Sequence, residues 1–166
     1  SKIDYLINYI RNNKIDNKNL MSLFWYYIGM CENALLYIRN INVPPLNNEK
    51  IAFCHRRIYE PNIKLNFYNP TNFIVDLEVR DVAEYIKVLF LNNKDYIEEL
   101  NYYLKINKLT TYSASMLYAR IIYPSYFLDY FENKVNNIKI DSFFETKNYE
   151  LFIKKTYELI NSYVKI

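Results

Sequence analysis

The residues of this 166-residue chain that could do chemistry are few: one histidine, His55, two cysteines, Cys31 and Cys54, and a run of mixed charges from His55 to Asp81. The run opens Phe53-Cys54-His55-Arg56-Arg57 and reaches Asn62. After a turn-rich stretch it closes Val75-Asp76-Leu77-Glu78-Val79-Arg80-Asp81. The cysteines match no metal spacing, and with a single His a zinc site would have to rely on carboxylates. Cys31 and Cys54 therefore read as buried free thiols. His55 reads as a hydrogen-bonded structural histidine. Arg57 stays protonated at any working pH and cannot take up a proton. It reads as an ion-pair partner of Glu60, Asp76 or Asp81, with anion binding as the functional alternative. Asp81 falls just inside an expected helix start, where the dipole stabilises a carboxylate without any function. Arg120, in an apolar helix, forms a buried pair or snorkels to the surface. None of these residues implies a bound cofactor.

Composition removes several function classes. The single glycine, Gly29, excludes glycine-rich phosphate loops and dinucleotide fingerprints, which need several glycines close together. It also argues against an all-β fold with many tight turns. A net charge of +3 is too mild to imply nucleic acid. The longest uncharged apolar stretch, Leu20 to Cys31, is well short of the roughly 20 residues that span a membrane, so it reads as buried. The chain opens Ser-Lys-Ile-Asp, with neither an initiator Met nor an apolar leader, as a piece of a longer protein would.

The elements that must position these residues are mostly helices. Ile3, Leu6, Ile7 and Ile10 fall on one helical face. A longer helix is expected from about Asn19 to Asn40, with Leu20, Leu23, Phe24, Tyr27, Met30, Leu35 and Ile38 in a wide apolar arc. Pro44-Pro45 then bars continuation. Ile51–Cys54 is a short apolar run. Ile63–Phe67 and Phe73–Val75 read as a small hairpin around Asn69-Pro70-Thr71-Asn72. Helical periodicity returns through Val79, Val82, Ala83, Ile86 and Leu89 or Phe90. Further helices are expected over 94–106, after a cap at Thr110 or Thr111, and from Pro124 to about Lys134. The last runs from Thr146 to Val164, with Tyr149, Phe152, Ile153, Tyr157, Ile160 and Val164 inward. The expectation is a mostly α, single helical domain over residues 1–166 with a small β insertion near 51–76. Tyr102, Tyr103, Tyr112, Tyr118, Tyr123, Tyr126 and Tyr130 form either an exposed aromatic contact surface or core with hydroxyls at its edge.

The order long helix, His55 loop, hairpin resembles the catalytic loop of the aminoglycoside phosphotransferase and choline kinase families, which share the protein-kinase-like fold. Their pattern is His-Gly-Asp, four residues, then Asn. His55 takes the His position and Asn62 the Asn position, while Arg56 and Arg57 replace Gly and the catalytic Asp. Two alignments of Asp76 exist. In one, Val75-Asp76-Leu77-Glu78 matches the strand end whose Asp holds the metal. In the other, more complete one, Asp76 and Arg80-Asp81-Val82-Ala83 match the later Asp…Arg-Asp-Leu-Ala element at a helix start. Residues 70–86 and 118–127 resemble the spore coat kinase-like proteins of the CotS and YutH type.

That resemblance implies the large helical lobe of a kinase-like fold, with the small, nucleotide-clamping lobe absent ahead of about residue 20. A carboxylate must accept the proton of the attacking hydroxyl. With Arg57 in its place, the implied protein is a pseudokinase with no catalytic residues: His55, Arg57 and Asn62 are degenerate positions, and Asp76 is a weak metal candidate. Arg57, Asp76, Arg80 and Asp81 are expected to form structural ion pairs. The implied role is binding and assembly in the spore coat or mother-cell cytoplasm of a low-GC bacterium. Its partners are expected to be proteins of the coat or further copies of itself, with no nucleic acid and no membrane span. Two alternatives stay open: a fragment of an active small-molecule phosphotransferase that uses Asp76 for its metal, and a helical interaction domain unrelated to kinases.

Overall fold

The computed structural model describes residues 2–13, 18–42, 49–58, 69–134 and 146–166. In chain order the elements are α1 (Lys2–Asn13), α2 (Lys18–Arg39), β1 (Ile51–His55), β2 (Phe73–Leu77), α3 (Val79–Leu91), α4 (Tyr96–Ile106), α5 (Thr111–Ile122), α6 (Ser125–Lys134) and α7 (Thr146–Tyr163). Among the described residues the fold is mostly helical, with one two-stranded antiparallel sheet.

Local chemistry sets the helix ends. The Asp95 side chain accepts from the Ile97 and Glu98 N–H groups and starts α4. Thr110, rather than Thr111, caps α5 by accepting from Ser113 N–H. Asn93, at φ 53°, turns the chain out of α3 in the left-handed region that Asn tolerates. Pro124 separates α5 from α6. Helix α2 ends at Arg39, ahead of Pro44-Pro45, which lie outside the described residues.

β2 pairs with β1, the apolar run Ile51–His55. Ile63–Phe67, the partner expected for the hairpin, lies outside the described residues. Phe53 stands opposite Val75, and His55 opposite Phe73. At the end of β1 Cys54 and His55 are buried while Phe53 stays exposed. The turn into β2 is a 3₁₀ turn, Pro70–Asn72, initiated by the Asn69 side chain accepting from Thr71 N–H.

The core is built around α3, which lies against β1, α4 and α5. Aromatic rings fill the space between helices. Tyr27 of α2 stacks on Phe127 of α6 at 3.9 Å, and Phe90 of α3 stacks on Phe152 of α7 at 4.3 Å. Leu6 and Ile10 bring α1 onto this core. Two expectations need correction. Tyr157 of α7 and Leu35 of α2 are exposed, because each sits at the margin of its helix's apolar arc. Of the seven weighed tyrosines only Tyr102 is exposed, and the other six are half-buried.

Candidate functional site

The sheet pairing puts His55 at the last residue of β1, against the first turn of α3. Its backbone N–H donates to Asp81 Oδ1 at 2.6 Å, and its ring Nδ1 lies 2.8 Å from Asp81 Oδ2. A carboxylate accepts both, which selects the Nδ1–H tautomer. Asp81 therefore does more than meet the helix dipole: it ties the strand end to the helix. Arg80 completes the joint, since its Nε donates to the His55 carbonyl at 3.0 Å.

Asp76, one residue before the end of β2, is the focus of two guanidiniums. Arg80 Nη1 donates to its Oδ2 at 2.8 Å and Arg120 Nη2 to the same oxygen at 2.6 Å. Oδ1 accepts from Leu77 N–H at 2.7 Å. Burial opposes ionisation, but the Arg80 hydrogen bond, the Leu77 N–H and the Arg120 charge outweigh it and hold the carboxyl below its ordinary range. Arg120 thus forms a paired contact with a residue far away in sequence. This donor set does not fit a divalent cation: the oxygen a metal would take is already neutralised by two fixed positive charges. Among the described residues, no three His, Cys, Asp or Glu side chains gather as a metal site.

Arg57 turns away from both Asp76 and Asp81, and Glu60 and Asn62 lie outside the described residues. Its Nε donates to Asp129 Oδ2 of α6 at 3.1 Å, and its Nη1 lies 3.7 Å from Glu84 Oε2 of α3. Burial works against the charge, yet Glu84 and Asp129 together raise the Arg57 pKa above its ordinary value. Glu84 is shared: Lys87 Nζ donates to its Oε1 at 2.7 Å and to Ser125 Oγ at 3.0 Å. Burial lowers the Lys87 pKa despite Glu84 beside it. Tyr126 donates its hydroxyl to the Ile58 carbonyl at 2.6 Å, and burial and then Glu84 raise its pKa. Asn72 Nδ2 donates to the Arg57 carbonyl at 3.0 Å, so the loop is held from both sides. Arg56 is exposed.

The family model described as "Spore coat putative kinase YutH" matches residues 6–161. That match covers nearly all of α1 to α7. The chain belongs to the YutH family of spore coat proteins. The endospore coat-associated protein YutH of Bacillus subtilis (strain 168) is 26% identical over 170 residues, covering 87% of this chain and 48% of that relative. The chain spans about half the length of the curated relative it matches. No solved structure matches it.

In this YutH-family chain, the sequence reading found His55, Arg57, Asp76, Arg80, Asp81 and Arg120 but not Glu84, Lys87, Ser125 or Asp129. One signal for Glu84 and Lys87 was present: a carboxylate and an amine at i, i+3 inside the apolar stretch Val82–Leu91. Asp129, 72 residues from Arg57, carried none. The cysteines are free and buried, and Cys54 Sγ donates to the Leu77 carbonyl at 3.4 Å. Burial raises both thiol pKa values, which keeps them protonated and unreactive. No helix among the described residues is long and apolar enough to cross a membrane.

Proposed function

We propose that this chain is a kinase-like helical lobe that transfers no phosphate and serves in binding and assembly at the spore coat or in the mother-cell cytoplasm where coats are made. The observation that carries the reading is the Arg57 guanidinium. It occupies the position where the resemblance calls for a proton acceptor, and it is held there by Asp129 at 3.1 Å and Glu84 at 3.7 Å. A cation so fixed cannot take the proton of an attacking hydroxyl. Asp76, neutralised by Arg80 and Arg120, supports the same reading from the metal side. The relative's description as endospore coat-associated supports the location. The partners are proteins; nucleic acid has no role in this reading.

The test is incubation of the chain with ATP, Mg²⁺ and hydroxyl or amine acceptors. No turnover is expected, and transfer at a rate typical of kinases overturns the proposal. Arg57→Asp is expected to restore nothing, because Asp76 remains covered by its two guanidiniums.

A further inference from the structure

A groove of about 520 Å³ runs between α3 and α4, on the side of α4 turned away from α7. It is faced by Tyr85, Ile86, Tyr102, Tyr103 and Ile106, of which Tyr102 and Ile106 are more than 60% exposed. The charged residues that line it, Asp81 and Glu99, are both acids. An apolar cleft with an acidic rim suits an amphipathic helix that brings an apolar residue flanked by cations.

This chain carries such a helix face. Leu151 of α7 is half-exposed. Lys147 and Lys155, one turn before and one turn after it, are exposed on the same side. Lys154 stands beside them and pairs at 3.9 Å with Glu158, an acid on the same side two turns after Leu151, so the face carries three lysines and one glutamate. The chain's own α7 is docked on the opposite flank of α4, where Tyr163 donates to Asn101 at 2.8 Å. At 100° per residue, Asn101 lies on the other side of α4 from Glu99, Tyr103 and Ile106. The two surfaces therefore cannot meet within one molecule.

We propose that the α3–α4 groove of one copy receives the Leu151 face of α7 from a second copy. Lys147 and Lys155 then lie against the acidic rim formed by Glu99 and Asp81. The inference deepens the assembly role proposed above and rests on it. Because the two patches differ, the contact is heterologous and propagates head to tail rather than closing a two-fold dimer.

Sedimentation velocity over a concentration series tests it, using two doubly substituted chains. One blocks the groove, Glu99→Lys with Tyr102→Arg. The other blocks the helix, Leu151→Asp with Lys155→Glu. All four positions are exposed, and circular dichroism checks that both variants fold. The parent chain is expected to grow with concentration, and less so at high salt. Each variant alone is expected to stay monomeric, and their equimolar mixture to stop at a one-to-one dimer, since one intact groove and one intact helix face remain. A parent that stays monomeric, a variant that assembles alone, or a mixture that stays monomeric overturns the contact. A monomeric parent that also transfers no phosphate removes only this contact. Phosphoryl transfer removes the lobe reading whatever the sedimentation shows.

Discussion

Two carboxylates near the His55 loop each hold two cations, and their surroundings differ. Asp76 sits at the sheet edge with Arg80 and Arg120, and the three side chains keep 14–22% of their surface in solvent. Glu84 lies under the loop with Lys87, the pair only 5–6% exposed, and Arg57 reaches in from the side. The Glu84 cluster also includes Asp129, which pairs with Arg57. The two places differ in solvent access too, because water can replace a lost partner at Asp76 and cannot reach Glu84. A buried pair need add little net stability, yet removal of one member strands the other in a poor solvent.

The largest effect is therefore expected at Glu84. Glu84→Leu leaves the Lys87 ammonium buried without its carboxylate and should cost about 3–5 kcal/mol in urea unfolding. Glu84→Leu combined with Lys87→Met should recover much of that loss, and a double as unstable as the single would refute the stranded-charge account. Asp76→Asn should cost less, about 1.5–3 kcal/mol, as expected for hydrogen bonds to a charged group. It should also change the acid limb. The Asp76 carboxyl is held below its ordinary pKa in the folded state, so below about pH 4 the unfolded chain binds the proton first. Its stabilisation is present above the unfolded pKa and is lost as pH falls through the folded one. Asp76→Asn should flatten this part of a stability-against-pH curve, and an unchanged curve would contradict the pairing.

Thr110→Ala comes next, at about 1 kcal/mol by thermal unfolding, for loss of the α5 cap. The smallest effect is expected at the exposed Lys154–Glu158 pair. At 3.9 Å and more than 60% exposed on both sides, its removal by Lys154→Ala should shift monomer stability by under about 0.5 kcal/mol.

Helices were the most legible part of the sequence. Thr110 and Pro124 punctuate α5 and α6 through chemistry contained within a few residues, and the 3.6-residue beat of α3 names its buried face. The strand pairing was legible only in part. Phe73–Val75 reads as a strand by composition, but its pairing with Ile51–His55 depends on tertiary packing that alternation alone does not rank. The same limit applied at the site. Both Arg57 and its lack of a basic function could be read directly, whereas its partners could not.

The sequence by itself determined the helical class, the family resemblance and the presence of a guanidinium at Arg57 beside His55, because each depends on residue type and short spacing. Only the tertiary structure decided that Asp129 and Glu84 hold Arg57, that two arginines converge on Asp76, and that α3 and α4 leave an acid-rimmed groove. Those pairings join residues tens of positions apart, and attraction between charges depends on their distance in space rather than along the chain.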